Sequence, residues 1–239
     1  MEPVYISIGS DCAVADYLRD CGRRDAAFPF DWMVSYGGIF RVIADATQPA
    51  TIVGSKPVGS VDEEAVAAAN RLGAVDASNF NAAYGAFHMH MPLPLALPTL
   101  ARRFERLRKA LADDRPVVLI RRSHALHHHF ERASALCDEV ADAKSLARHL
   151  EAAYPAKAAA GGFRIELMLA CDMCHPKTEC FSEGMLRVHN LTRELSKSFA
   201  LYHPTKSYTD AMQACISGAI GATPRAPRVA PDNPYILEQ

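Results

Sequence analysis

Three short apolar runs constrain the fold more than any other feature of this chain. They are Val4-Tyr5-Ile6-Ser7-Ile8, Val117-Val118-Leu119-Ile120 and Phe163 to Ala170. Each is rich in β-branched, aliphatic or aromatic residues and reads as a strand, the first two as buried strands. Helical patterns lie between and after them. Cys12 to Leu18 places Ala13, Ala15, Leu18 and Cys21 near one face, with Ser10 or Asp11 as the N-cap and Gly22 closing the helix. Thr99 to Leu111 places Leu100, Phe104, Leu107 and Leu111 on one face. Lys144 to Ala153 is a further amphipathic helix. Strands that alternate with helices predict an α/β domain with a mainly parallel sheet and helices on both faces. In such a sheet the active cleft lies beyond the C-terminal strand ends. The loops at Cys12, at Arg121 to His124 and at Cys171 each follow a strand, so parallel strands place all three at one edge.

The rest of the chain is less regular. Met33 to Ala46 reads as a helix with Ile39, Val42 and Ile43 inward. Residues 47–98 read as an irregular insertion, with a short helix over Asp62 to Leu72. Phe87-His88-Met89-His90-Met91 alternates with period two before Pro92, Pro94 and Pro98. Gly161-Gly162 marks a turn, Met185 to Leu191 a strand, Leu201 to Tyr208 a turn region and Thr209 to Ile220 a helix. The expectation is one domain over 1–221, followed by an extended or disordered Pro-rich tail over 222–239.

Composition narrows the function classes. The chain is 49% apolar and 22% charged with a net charge of -1, which leaves no electrostatic footprint for nucleic acid or an anionic membrane. It shows neither a signal-peptide pattern nor an apolar run long enough for a membrane span, so the expected location is cytoplasmic. In a reducing compartment the seven cysteines are free, catalytic or metal-bound rather than a disulfide frame. The glycine-rich phosphate and dinucleotide motifs are absent. No cofactor is expected beyond an optional zinc, and the oligomeric state is left open.

Cys12 is the first candidate site. A thiol in the first turn of a helix meets unpaired backbone N–H groups and the positive end of the dipole, which favour thiolate. The same N–H groups can hold an oxyanion. The alternative is a small buried apolar residue. Ser10 is a second candidate nucleophile or simply the cap. His88 and His90, two apart on a strand, share a face and suit a catalytic pair or a metal. His124 and His128 share a helical face in the cluster Ser-His-Ala-Leu-His-His-His, which reads as a cleft-lining loop ahead of a metal site. Cys171-Asp-Met-Cys174-His175 followed by Cys180 has zinc-knuckle spacing, with His175, Cys215 or His203 as the fourth ligand. Ordinary free thiols are the competing reading.

The stretch Ile6-Ser-Ile-Gly-Ser-Asp-Cys-Ala-Val-Ala-Asp-Tyr-Leu-Arg19, with Phe28-Pro-Phe-Asp-Trp32 after it, resembles a family of bacterial proteins described as papain-like cysteine peptidases. Weaker matches are Phe87 to His90, Arg102-Arg103-Phe104-Glu105-Arg106 and Val117 to Arg121. The resemblance covers about residues 4–122. It implies a cysteine-nucleophile hydrolase or acyl transferase acting on a small-molecule or peptide acyl substrate. Cys12 would be the nucleophile, His88 or His90 the base, and Asp31 the orienting carboxylate, with a helix cap as the alternative role for Asp31. Ser10, Asp11, Trp32, Arg121 and His124 would line the oxyanion or substrate site. The strand order fits a doubly wound sheet better than a papain half-barrel. Two other readings stay open. Tyr202-His203-Pro204-Thr205 resembles the end of SGNH-type esterases, with Ser10 or Cys12 paired to His203. The cysteine-rich loop alone would make a metal-binding protein without hydrolase activity.

Overall fold

The computed structural model describes residues 1–9, 13–35, 39–44, 86–88, 93–122, 138–169, 180–191 and 206–221. Among them run β1 (Val4–Ser7), α1 (Ala13–Asp20), a 3-10 turn (Pro29–Trp32), β2 (Met33–Ser35), α2 (Ile39–Ala44) and β3 (Ala86–His88). Then come α3 (Leu93–Ala112), β4 (Val117–Arg122), α4 (Glu139–Ala153), α5 (Pro155–Ala159), β5 (Phe163–Leu169), β6 (Phe181–Glu183), β7 (Leu186–Asn190) and α6 (Lys206–Ile220).

The main sheet has the order β1-β4-β5-β7-β6. The pairs β1–β4, β4–β5 and β5–β7 are parallel, and only β6 runs antiparallel, beside β7. Helices cover both faces. On one face Val4, Ile6, Val117, Leu119, Ile165 and Leu167 meet residues of α3 and α4, among them Phe104, Leu107, Leu146 and Leu150. On the other, Tyr5, Val118, Ile120 and Met168 meet Val14, Leu18, Ile216 and Ile220 of α1 and α6. The period-two alternation of side chains along each strand divides the core this way. Burial on both sides explains why these strands carry nearly unbroken apolar runs. The expected α/β class and parallel sheet are therefore observed.

Local chemistry sets the ends of the elements. Gly22 has φ 67°. It ends α1 in a Schellman motif, with Arg23 N donating to Leu18 O at 2.8 Å and Gly22 N to Arg19 O at 3.0 Å. Asp138 caps α4 through two bonds of 3.0 Å from Val140 N and Ala141 N to its Oδ1. Lys157 Nζ donates to Ala110 O at 3.0 Å and Leu111 O at 3.2 Å, a cation on the exposed carbonyls at the end of α3. Tyr5 Oη donates to Ile220 O at 3.1 Å, and Tyr17 Oη lies 2.6 Å from Ser217 Oγ, tying α6 to β1 and α1.

Several elements differ from expectation. Residues 33–46 are not one helix. Met33–Ser35 is a strand, and a separate helix runs over Ile39–Ala44. Its partner is β3, with Met33 opposite His88 and Ser35 opposite Ala86. That pairing joins segments more than fifty residues apart, so no local pattern announces it. The segment 47–98 is not irregular to its end, since it contains β3 and the start of α3. Helix α3 begins at Leu93 rather than Thr99. Pro94 falls in its first turn, where a missing N–H costs nothing. Pro98 lies inside the helix with its ring exposed. Helix α4 begins at Glu139, five residues before the expected Lys144, and α6 begins at Lys206 inside the expected turn region. The short strand β6 was not expected. The expected helix at 62–72, the histidine cluster at 124–129 and the tail 222–239 lie outside the described residues.

Candidate active site

The parallel register brings the C-terminal ends of β1, β4, β5 and β7 to one edge. Ile8 N donates to Ile120 O at 2.9 Å and Arg122 N to Gly9 O at 3.2 Å, which extends the β1–β4 ladder past the end of β1. Leu191 N donates to Leu169 O at 2.8 Å at the β5–β7 end. Gly9 has φ 87°, a left-handed conformation that L side chains rarely adopt. It turns the chain out of β1, and α1 begins four residues later at Ala13. Residues 10–12, which include Ser10, Asp11 and Cys12, join these two ends and lie outside the described residues.

Arg121 fixes this edge. Its Nε and Nη2 form a fork on Glu139, at 2.5 Å to Oε2 and 2.6 Å to Oε1. Its Nη1 donates to Ile8 O at 3.0 Å. The two side chains are 3% and 8% exposed, so the pair is shielded from screening. Planar bidentate geometry is what a guanidinium supplies and an ammonium cannot. These bonds commit the guanidinium to the last carbonyl of the β1 run and to the first residue of α4. Arg121 thus anchors the strand that leads to Cys12. Glu139 was not singled out in the sequence, because nothing local ties a carboxylate at 139 to an arginine at 121.

Asp31 lies in the turn Pro29–Trp32 and is 2% exposed. Arg24 Nε donates to its Oδ2 at 3.0 Å, Arg24 Nη2 contacts the same oxygen, and Phe28 N donates to it at 3.0 Å. The bond to Phe28 N is the backward reach of a capping box, in which a carboxylate satisfies an amide three residues earlier. Burial pushes the carboxyl of Asp31 above the usual carboxylate range, against the pull of Arg24, the Phe28 amide and Arg103. The turn packs against α1, α3 and β2. Phe30 beside it is fully buried and stacks edge-on with Phe104 at 6.5 Å.

The strand pair β2–β3 brings two separate motifs together. His88 stands at the register position opposite Met33, two residues along the chain from Asp31. From β2 the chain leads to α2, where Phe40 N donates to Asp142 Oδ2 at 3.3 Å in the first turn of α4. That is the turn that carries Glu139. The 28–40 segment therefore runs to the same end of α4 that Arg121 holds.

Of the other expected site residues, Trp32 is the last residue of the 3-10 turn. His90, His124, Cys171, Cys174, His175 and His203 lie outside the described residues. Cys180 is exposed and accepts a bond from Asn190 N at 3.3 Å. Among the described residues no group of three His, Cys, Asp or Glu side chains is placed to hold a metal ion. No helix among them is long and apolar enough to cross a membrane.

A family model described as "putative papain-like cysteine peptidase" matches residues 3–173. The match takes in β1 through β5 and both motifs of the β2–β3 pair. No curated protein and no solved structure matches the chain.

Proposed function

The chain belongs to the family described as papain-like cysteine peptidases, the model of which it matches over 3–173, and on that premise we propose thiol-dependent hydrolysis or transfer of an acyl group. Cys12 is the nucleophile in this reading. Its thiolate attacks the carbonyl carbon of an amide or ester and forms a thioester. The leaving amine or alcohol takes a proton from the histidine that received the thiol's proton. Water, or an acceptor amine or alcohol, then releases the acyl group.

The observation that carries the reading is the anchoring of Gly9. The family match includes a cysteine three residues beyond it, ahead of a helix, at the edge where α/β sheets hold their ligands. Backbone N–H groups of the α1 first turn are the oxyanion donors in this proposal. His88 or His90 is the base. Asp31 acts by position: its bonds to Arg24 and Phe28 N hold the turn that feeds β2, the strand paired with His88. Arg121 acts in the same way on β1. Asp11, Trp32 and His124 are proposed as substrate-side residues, and the location proposed is the cytoplasm.

The test is alkylation of Cys12 by iodoacetamide against pH, read by peptide mass spectrometry on the folded protein. The expected alkylation pKa lies well below the ordinary thiol value of about 8.5. The substitutions His88→Ala, His90→Ala and His203→Ala, one at a time, identify the base. Loss at His88 or His90 supports this reading, whereas loss at His203 alone transfers the chemistry to an esterase-like pair. A Cys12 that labels only on unfolding sinks the proposal.

A further inference from the structure

The parallel strands have a second edge, opposite the one that leads to Cys12. A cavity of about 480 Å³ opens there among the residues that lead into the strands: Pro3 ahead of β1, Pro116 ahead of β4 and Met185 ahead of β7. That volume falls in the range of roughly 300–1,000 Å³ typical of small-molecule sites. With Phe163 these residues give the cavity an apolar wall. Two arginines also line it, Arg164 from β5 and Arg187 from β7. Both share a sheet face with the buried Glu166: Arg187 is its register partner, and Arg164 stands two residues before it. Glu166 is already matched. Its Oε1 lies 2.8 Å from Arg164 Nε, and its Oε2 lies 2.7 Å from His189 Nε2. The Cys215 thiol and the Glu166 carboxylate push His189 up to about 10, against the effect of burial. Arg164 is tied further by its Nη2, which donates to Ala219 O at the end of α6. Arg187 is different. Its side chain is 50% exposed, and its Nη1 lies 3.8 Å from Glu166 Oε1, too far for a hydrogen bond. Among the described residues it has no other charged partner. The lining holds one carboxylate, Glu151 of α4, which is exposed and pairs with neither arginine among the described residues. Two guanidiniums against one exposed carboxylate leave the cavity a positive surplus.

We propose that this cavity is a binding site for a small organic anion, a carboxylate or phosphate on an apolar body, held by Arg187 and Arg164 and separate from the Cys12 edge. Arg187 supplies a planar fork that matches either head group with two parallel hydrogen bonds. Arg164 adds a second charge that Glu166 and the end of α6 hold in place before the ligand arrives, which lowers the ordering cost of binding. The body of the ligand rests on Phe163, Met185 and the two prolines, where burying apolar surface adds affinity. Glu151 at the rim disfavours ligands whose charge extends along the whole molecule and favours a single anionic end. The usual ligand edge of a parallel sheet is the other one, beyond the C-terminal strand ends. A ligand at this edge therefore leaves the acyl chemistry proposed for Cys12 unobstructed.

The test is isothermal titration of the folded full chain at constant ionic strength with phenyl phosphate, with benzoate and with the neutral benzyl alcohol. Saturable binding of at least one of the two anions is expected, and the tighter one identifies the head group. Benzyl alcohol, which has the body without the charge, is expected not to bind. Arg187→Ala is expected to weaken the anion by roughly tenfold or more, the loss of a charge-assisted hydrogen bond. Arg187 is half-exposed, so the variant keeps the fold, and a thermal melt without ligand checks this. Cys12→Ser is expected to bind as tightly as the wild type, because the cavity lies at the other edge. Four results overturn the proposal: no saturable binding of either anion, equal binding of benzyl alcohol, an unchanged affinity in Arg187→Ala, or a loss of binding in Cys12→Ser. None of them bears on whether Cys12 is a nucleophile, which its alkylation reads independently.

Discussion

The Arg121 guanidinium grips both carboxylate oxygens of Glu139 and, with its remaining nitrogen, the carbonyl of Ile8. One buried side chain thereby ties the end of β1 to the first residue of α4. Removing one member leaves the other charged and buried. Glu139→Ala is expected to cost about 3–5 kcal/mol. Replacing both with apolar residues, as in Arg121→Met with Glu139→Leu, is expected to recover most of that loss, because the desolvation penalty disappears with the charges. Urea unfolding of the two single variants and the double variant measures the coupling. If the double variant is as unstable as the sum of the singles, the pair does not act as a unit. The double variant also removes the grip on Ile8, so its Cys12 is expected to alkylate more slowly even where stability returns.

Gly9 meets Arg122 N through its carbonyl and holds φ 87°. A Cβ at that φ is strained, and Gly9→Ala is expected to cost roughly 1–2 kcal/mol. The strain falls two residues beyond β1 and three residues before Cys12. Wild-type and variant chains can be compared by thermal melting and by Cys12 alkylation at pH 7. Lower stability together with slower labelling is the expected pair of results. An unchanged melting temperature would mean that the turn relaxes without cost, and that Gly9 does not set the exit from β1.

The parallel layers could be read in the sequence because β1 and the start of β4 are apolar runs of the kind a doubly covered strand carries, and β5 is rich in aliphatic residues. The helices between them carry apolar stripes, such as Leu100, Phe104, Leu107 and Leu111. Local pattern misleads where pairing is distant. Ile39, Val42 and Ile43 suggest a helix from Met33, yet Met33–Ser35 pairs with Ala86–His88 across an intervening stretch that local spacing cannot bridge. The prolines before Thr99 read as breakers, although two positions of a helix tolerate them: the first turn and, at some cost, an exposed face. The Cys12 loop was legible as a strand-to-helix junction. Its braces were not, because Glu139 pairs with Arg121 and Arg24 with Asp31 through space. The His189–Glu166 pair, 2.7 Å apart on neighbouring strands, was invisible for the same reason: a strand register assembles it, and its spacing matches no motif.

Asp31 and Arg24 make a second buried pair, with side-chain exposures of 3% and 17%. Asp31→Ala removes the acceptor for both Arg24 and Phe28 N and is expected to cost about 3 kcal/mol. Asp31→Asn keeps an acceptor for Phe28 N and is expected to lose less. If Asp31 works by holding the turn, the pH midpoint of Cys12 alkylation stays put in Asp31→Asn while the melting temperature falls. A midpoint that rises by a unit or more would instead assign Asp31 to the histidine directly.

His189 binds its proton more tightly in the folded chain, up to about 10 against 6.5. The sign of the linkage follows from proton counts. Between those two values the folded state holds a proton that the unfolded state has released, so raising the pH favours unfolding. The contribution is complete below pH 6.5 and is lost as the pH climbs through about 10. Wild-type stability is therefore expected to decline across this window. His189→Gln is expected to start lower at pH 6 and to show a flatter profile, so that the two curves converge toward pH 10. Denaturant midpoints at five or six pH values measure this. Parallel curves, with a constant gap between wild type and variant, would show that the imidazole contributes packing alone and that neither Glu166 nor Cys215 holds its proton.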